Sequence, residues 1–223
     1  VKVYIDNLTR HLISIIGKRD TLFILHNSEK KLFIKSKNNI HEIIMNSKSK
    51  IICDLIIAPE KINALNLDAV LFTKGVMPFF IKNKTKKIIT IHDLAYYIPK
   101  YNAYKFLDNI YMKIMIKSSC KRADKIIAVS ENTKKDLVNI IGIKEKKIKV
   151  IYEAADNNYK RVIKKETLSK FIKKYKLPEK FILYTGDISP RKNLTNLVKA
   201  FNIVANKDKE LFLVMTGSKG WKN

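Results

Sequence analysis

The sequence has little of several residue types that mark particular protein classes. Only two cysteines, Cys53 and Cys120, occur in 223 residues, too few for a disulfide scaffold, so buried thiols in a reducing cytoplasm are favoured. The six glycines form no G-x-G-x-x-G turn, which argues against a dinucleotide-dependent dehydrogenase. No apolar run approaches the ~18 residues of a membrane span, and residues 1–16 have the pattern of a helix instead of a signal peptide.

Arginine is also scarce, although the chain is strongly basic. The formal net charge is +25, from 45 basic and 20 acidic residues, and the basic residues are 40 lysines and 5 arginines. Proteins that read bases or phosphates favour the bidentate arginine fork, and here the charge is spread evenly along the chain. The composition therefore favours a solvated lysine surface over a specific nucleic-acid site. A basic module that binds a polyanion or a membrane surface without catalysis stands as the alternative.

The order of the sequence patterns indicates an α/β fold. Short runs rich in Val, Ile and Phe alternate with helical patterns, which is typical of strands buried in a parallel sheet and connected by helices. The predicted strands are Thr21–Leu25, Ala69–Phe72, Lys87–Ile91, Lys125–Val129, Ile148–Ile151, Phe181–Tyr184 and Leu211–Met215. The predicted helices are Val1–Ile16, Tyr104–Ser118, Asn132–Ile141 and Leu194–Ala205.

A soft domain boundary falls near residues 152–165, where the sequence loses its periodicity. We predict an N-terminal α/β domain over residues 1–153 and the start of a second α/β domain over residues 154–223. The chain opens on a helix with no strand before it and stops soon after a strand. We therefore expect a fragment, with the first domain missing its opening strand and the second truncated.

The segment YTGDISPRKNL, residues 184–194, has the composition of an anion site. Gly186 follows a predicted strand, and Arg191 and Lys192 stand directly before a predicted helix. A glycine turn, two cations and the positive end of a helix dipole suit a diphosphate. An ordinary strand-to-helix loop in a lysine-rich protein is the alternative.

Two further segments place polar residues at the carboxyl ends of predicted strands, where open α/β sheets bind ligands. In TIHDL, His92 can donate to a sugar hydroxyl or a phosphate, and Asp93 can orient it; a structural histidine in a capped loop is the alternative. In ADKIIAVSENTKKDL, Ser130 and Thr133 open a helix directly after a strand. A helix cap is the main interpretation of Ser130.

These segments, in this order and spacing, resemble the group 1, or family 4, glycosyltransferases with the GT-B fold. The resemblance rests on IITIHDL, ADKIIAVSENTKKDL, IKVIYEAAD, ILYTGDISPRKNLTNLVKAF and LFLVMTGSKGW, and it covers residues ~68–223 well. It implies two Rossmann-like domains that face each other across a cleft, with the acceptor held by the first domain and the nucleotide sugar mainly by the second.

The implied activity is transfer of a hexose from a GDP- or UDP-linked donor to a glycan or lipid-linked acceptor. The resemblance is to mannosyltransferases of polysaccharide biosynthesis, which act with retention and without a metal or other cofactor; the sequence has no D-x-D motif. By the same resemblance, His92 and Asp93 are the catalytic candidates. The implied donor diphosphate site is Gly186, Arg191 and Lys192, and Ser130 and Gly217 are candidates to line the cleft.

Some features depart from the family pattern. Asp187 follows Gly186, and a carboxylate there would oppose a diphosphate. The later C-terminal units of the family, including its E-x7-E segment, are absent from these residues, so we expect little transferase activity from this chain by itself.

The segment Tyr101–Lys121 is basic and rich in Tyr, Met and Ile. It could rest on anionic lipid at the inner face of the membrane. A helix packed on the sheet with a solvated lysine face is the favoured alternative, in a cytoplasmic protein.

Overall fold

The computed structural model describes residues 1–27, 39–47, 49, 52–98, 106–156, 159, 161 and 164–218. The chain divides into two compact units. One is made of Val1–Tyr97 with Lys105–Ala154, and the other of Ile98–Tyr104 with Ala155–Asn223. Within the described residues each unit alternates parallel strands with helices, so the predicted α/β fold is confirmed.

The first unit contains two parallel sheets. One has two strands in the order β1-β2, and the other has four in the order β3-β4-β5-β6. The strands are β1 (Leu22–His26), β2 (Ile40–Ile44), β3 (Ala69–Phe72), β4 (Lys86–Ile91), β5 (Lys125–Ala128) and β6 (Ile148–Val150). The helices are α1 (Lys2–Ile15), α2 (Ala58–Ala64, preceded by the π-helical turn Cys53–Ile57), α3 (Phe106–Arg122) and α4 (Glu131–Asp136, continued by the π-helical turn Leu137–Ile141).

The core of this unit lies around β4 and β5. Ile89 pairs with Ile126 in register, and both side chains are fully buried. Helix α3 covers them with Ile116 and Cys120, and Leu137 packs from the turn that follows α4. These residues come from the short apolar runs that predicted buried strands, so burial on both faces agrees with that pattern.

Strand β2 and the helical segment Cys53–Ala64 were not predicted. In β2, His41 and Glu42 interrupt the apolar run, which hid the strand pattern. The structure accommodates both side chains on β1: His41 stacks on Phe23 at 5.0 Å between ring centroids, and Glu42 bonds to His26. Contacts with residues of β1 thus stabilise these two polar side chains, and prediction from an alternating apolar pattern cannot detect such contacts.

The predicted helix Asn132–Ile141 is observed as α4 and its π-helical continuation. It ends where Gly142 adopts a left-handed conformation with φ of 78°, the usual way for a glycine to close a helix. The predicted helix Tyr104–Ser118 is observed as α3, which extends to Arg122; residues 104 and 105 lie outside the described part of the chain.

The second unit is a two-stranded parallel sheet with two helices. Strand β7 (Lys180–Thr185) pairs with β8 (Leu211–Thr216) over six residues, and helix α6 (Leu194–Ala205) connects them. Helix α5 (Lys165–Tyr175) precedes β7. The short turn Pro190–Lys192 is a 3-10 helix. The observed α6 has the bounds that its apolar spacing predicted.

In the part of the chain that the structure describes, none of the helices combines the length and the apolar character needed to cross a membrane.

Candidate functional site

The carboxyl ends of β4, β5 and β6 bring polar residues together at one edge of the four-stranded sheet. His92 follows β4, Ser130 stands two residues after β5, and Glu153 stands three residues after β6. Because these strands are parallel neighbours, their carboxyl ends share one edge. The structure therefore places His92 directly after a strand, as the sequence predicted.

The imidazole ring of His92 is held on several sides. Its Nδ1 lies 2.9 Å from Oε1 of Glu153, and its Nε2 lies 3.0 Å from the backbone carbonyl oxygen of Thr73. Tyr4 of α1 meets the ring edge-on, with centroids 4.9 Å apart and planes at 85°. The Tyr4 hydroxyl lies 3.3 Å from Oγ1 of Thr90, which fixes the tyrosine in turn. The ring is thus oriented by the protein before any ligand binds.

The backbone of His92 is tied to helix α4. The buried hydroxyl of Thr133 donates to the His92 carbonyl oxygen at 3.1 Å. Ser130 caps the same helix, because its Oγ accepts from the backbone N–H of Thr133 at 3.1 Å. The predicted cap at Ser130 is therefore present, and the S-x-x-T pair connects the cap to the histidine.

Asp93 shapes the turn that follows His92. Its Oδ1 accepts from the backbone N–H of Ala95 at 3.0 Å, at the start of the 3-10 turn Ala95–Tyr97. The carboxylate that bonds to a ring nitrogen of His92 belongs to Glu153. Sequence reasoning did not single out Glu153; the available signal was an acidic residue soon after β6, a later strand that ends at the same edge of the sheet.

In the second unit, the glycine candidates mark a close approach of two backbones. The loops after β7 and β8 are joined by hydrogen bonds from the backbone N–H of Gly186 to Thr216 and from that of Ile188 to Ser218. Gly217 has φ of 156°, and a Cβ added there would overlap the carbonyl of Gly186. A glycine at 217 is therefore demanded by packing between the loops.

The loop after Gly186 leads to the beginning of α6. Lys192 is exposed and ends the 3-10 turn, and Asn193 takes a left-handed conformation with φ of 55°. Asparagine tolerates that conformation better than most residues, which explains why Asn193 follows Lys192 at this position. The first turn of α6 has no acidic residue. The side chain of Arg191 lies outside what the structure describes.

Asp187, the departure from the family pattern, is held by the neighbouring loop. Its Oδ1 accepts from the Ser218 hydroxyl at 2.9 Å, and its backbone carbonyl accepts from the Tyr184 hydroxyl at 3.0 Å. The carboxylate thus helps to fix the loop that precedes Lys192.

The two thiols are unsuited to nucleophilic chemistry. Burial raises the pKa of Cys120 to about 12. Burial, followed by the charge of Asp54, raises the pKa of Cys53. Since the thiolate is the reactive form, both are structural residues.

Among the residues that the structure describes, no group of three or more His, Cys, Asp or Glu side chains could hold a metal ion.

The fold and this edge of the sheet define the class: an α/β protein of Rossmann-like type, with polar residues at the carboxyl ends of parallel strands. Residues 58–159 match the family model Glycosyltransferase Family 4. The resemblance of the sequence to the group 1, family 4 glycosyltransferases is thereby confirmed.

The curated relatives carry mannosyltransferase names. The chain is 29% identical over 119 residues to the O-antigen chain mannosyltransferase RfbU of Salmonella typhimurium, covering 53% of this chain and 29% of that protein. It is 23% identical over 150 residues to O-antigen chain mannosyltransferase B of Escherichia coli, covering 65% of this chain and 38% of that protein. The chain thus spans less than half the length of these relatives.

A solved structure supports the GT-B type of fold. The crystal structure of Anabaena Alr3699/HepE in complex with UDP and glucose aligns with a TM-score of 0.53 and 15% identity, over 81% of this chain and 48% of that one.

Proposed function

We propose that the protein transfers a hexose, with retention and without a metal or other cofactor, from a GDP- or UDP-linked sugar to a glycan or lipid-linked acceptor in polysaccharide biosynthesis. The mannosyltransferase names of the relatives support the sugar and the pathway class. The UDP and glucose in the structural neighbour support a nucleotide-sugar donor. The nucleotide sugar is the substrate, and cytoplasm is the place where such donors are available.

The loop before α6 carries this proposal. An exposed lysine, a glycine turn that brings two backbones close, and a helix N-terminus without acidic residues suit a donor diphosphate. Lys192 and Arg191 would stabilise the negative charge that develops on the departing diphosphate, which is where fixed cations lower a barrier most. Gly186 would allow the phosphates to approach the backbone, and Gly217, which packs against the Gly186 carbonyl, would line the site beside it.

In the first unit, His92 would contact the donor sugar and Asp93 would hold the turn that presents it. The support is their place at the carboxyl edge of the sheet and the oriented ring of His92. Ser130 would act through the cap that connects α4 to His92.

Nucleotide binding tests the diphosphate site. We expect GDP or UDP to bind in isothermal titration calorimetry, and Lys192→Ala to weaken binding about tenfold, as expected for loss of one charge-assisted hydrogen bond. Lys199→Ala is the matched control, since Lys199 is an exposed lysine in the middle of α6. Equal affinity for Lys192→Ala and the wild type would contradict the assignment.

We also propose peripheral contact with an anionic membrane surface through the outer face of α3. Leu107, Ile110 and Ile114 are exposed large apolar side chains, and Lys117 and Lys121 continue the same face at helical spacing and are exposed. The opposite face packs Met115, Ile116 and Cys120 into the core. Packing of α3 on the sheet, the favoured alternative, explains the buried face with Met115, Ile116 and Cys120. It does not explain the exposed apolar side chains on the other face. Such a face with terminal lysines suits an anionic interface.

Vesicle sedimentation tests the membrane contact. We expect binding to vesicles that contain anionic lipid, weaker binding to neutral ones, and loss of binding in the double variant Ile110→Ser, Ile114→Ser. Ile140→Ser is the matched control, because Ile140 is an exposed isoleucine on another helical segment. Equal sedimentation with both kinds of vesicle would contradict this contact.

A further inference from the structure

The loop between β3 and β4 presents two adjacent phenylalanines to solvent. Phe79 is 38% exposed and Phe80 is 75% exposed, whereas Met77 before them and Ile81 after them are buried. Single exposed apolar side chains are common on protein surfaces. Two in succession, between buried neighbours, form an apolar patch of the kind that marks a contact with a partner or a membrane.

The backbone of this loop is anchored on two sides. The guanidinium of Arg122, at the end of α3, donates to the carbonyl oxygens of residues 77–79 and lies against the ring of Phe79. The side-chain amide of Asn63 donates to the carbonyl oxygen of Phe80 at 2.6 Å and accepts from the backbone N–H of Lys82 at 2.9 Å. The fold therefore holds both rings at the surface.

The loop reaches the amino edge of the four-stranded sheet, which is strongly basic. The first residues of β3 to β6 and the four residues before each of them include nine basic and three acidic residues. The last residues of these strands and the four after each of them include one basic and three acidic residues. Because parallel strands place like ends together, charge that is even along the sequence is concentrated at one edge. The exposed lysines of the amino edge include Lys82, Lys84, Lys86, Lys125, Lys144 and Lys146.

Hydrogen bonds between the segments make the amino edge one continuous surface. The backbone N–H of Lys87 donates to the carboxylate of Asp124 at 2.8 Å, which joins the start of β4 to the start of β5. The ammonium group of Lys125 donates to the carbonyl oxygen of Lys146 at 3.3 Å, which joins β5 to the turn before β6. Arg122, two positions before Asp124, connects this surface to the phenylalanine loop.

We propose that the amino edge, together with Phe79 and Phe80, binds the surface of a bilayer that contains anionic lipid. The two rings enter the boundary between headgroups and acyl chains, and the exposed lysines contact the lipid phosphates. It adds a second surface to the membrane contact proposed above, on which it rests for the kind of partner. The carboxyl edge that carries His92 lies at the opposite ends of the strands, so it stays open to a ligand.

Nucleic acid also carries phosphates, but the composition of this edge favours lipid. Its basic residues are lysines apart from Arg122, whose guanidinium is bonded to backbone carbonyls. Lysine lacks the bidentate fork that suits bases and phosphates. The rings of Phe79 and Phe80 have no polar atom to read a base edge, and they are tilted by 53° instead of forming a parallel platform.

Sedimentation with phosphatidylcholine vesicles, with and without phosphatidylglycerol, tests the role of the rings. We expect the wild type to bind the anionic vesicles and the double variant Phe79→Ser, Phe80→Ser to bind them about tenfold more weakly, since lipid would otherwise cover the apolar rings. Tyr152→Ser is the matched control, because Tyr152 is an exposed aromatic residue after β6, at the opposite edge. Wild-type affinity in the phenylalanine variant would overturn the proposal.

A second pair of variants tests the role of the lysines. The triple variant Lys84→Gln, Lys86→Gln, Lys146→Gln should bind anionic vesicles about a hundredfold more weakly, because each lysine near such a surface contributes about fivefold. The control makes the same change in net charge at exposed lysines away from this edge: Lys2→Gln, Lys74→Gln, Lys135→Gln. Equal losses in both triple variants would show that only the net charge matters and would overturn the assignment.

The variant Ile110→Ser, Ile114→Ser, measured alongside, separates this surface from the outer face of α3. Loss of binding only in the α3 variant would overturn the amino edge and sustain the contact through α3, and loss only in the phenylalanine variant would do the reverse. A wild type that binds a single-stranded oligonucleotide and no vesicles would overturn both membrane contacts. Binding of GDP or UDP by the same samples tests the donor site independently.

Discussion

The hydroxyl of Thr133 donates to the carbonyl oxygen of His92, 41 positions earlier in the chain, at 3.1 Å. The bond joins the first turn of α4 to the residue that follows β4. Since Thr133 is buried and Ser130 caps the same turn, one S-x-x-T pair both begins a helix and holds the histidine.

Thr133→Val tests this connection with a side chain of the same shape. Removing the hydroxyl leaves the His92 carbonyl without that donor, and we expect the free energy of unfolding to fall by about 1–3 kcal/mol. Urea unfolding followed by circular dichroism measures it. Thr21→Val, at an exposed threonine before β1, should change stability little; equal losses in both variants would argue against the role of the hydroxyl.

Arg122 makes a second connection that stability measurements can examine. Its guanidinium donates to the carbonyls of Met77, Pro78 and Phe79 at 3.0, 2.6 and 3.1 Å, and it lies 4.6 Å from the centre of the Phe79 ring. Burial lowers the pKa of Arg122.

Lysine cannot reproduce this planar fork, so we expect Arg122→Lys to cost about 1–3 kcal/mol of unfolding free energy. Arg19→Lys, at an exposed arginine before β1, is the control. A wild-type urea midpoint in Arg122→Lys would contradict the assigned role.

Gly142 and Gly217 allow two effects of a glycine-to-alanine substitution to be separated: the cost of a left-handed backbone conformation and the clash of the added Cβ with a neighbouring backbone. Gly142 has φ of 78° with open space around it, so Gly142→Ala should cost roughly 1–2 kcal/mol for the left-handed conformation alone. Gly217→Ala must also displace the carbonyl of Gly186. We expect faster hydrogen exchange in the loops after β7 and β8 only in Gly217→Ala; protection unchanged from the wild type would show that the two loops do not need a glycine there.

Cys120 provides a probe of the intact core. With its pKa near 12, only about one molecule in ten thousand carries the thiolate at pH 8, and the side chain is fully buried. We expect iodoacetamide to modify it in urea and very slowly in the native protein, with a rate that rises with pH as the thiolate fraction grows. Mass spectrometry of the labelled peptides measures both rates. Native labelling as fast as in urea would contradict its burial.

Much of the fold follows from local patterns. The apolar run before His92 predicted β4 because a strand buried on both faces needs consecutive apolar residues. The spacing of apolar residues in Leu194–Ala205 predicted α6 to the residue, since one face of that helix needs three- and four-residue intervals. Strand β2 could not be predicted in this way, because the partners that accommodate His41 and Glu42 lie on β1.

The sequence by itself determined the class of fold, the strand end that carries His92, and the glycine–lysine loop before α6, because each depends on residues adjacent in the chain. Only the tertiary structure decided what surrounds the imidazole: Tyr4, Thr73 and Glu153 come from three separate segments, and Glu153 stands 61 positions after His92. A strand-end motif says where a side chain stands along the sheet. The contacts that hold its ring come from a helix and from strand ends that parallel pairing brings to the same edge, and no local pattern records them.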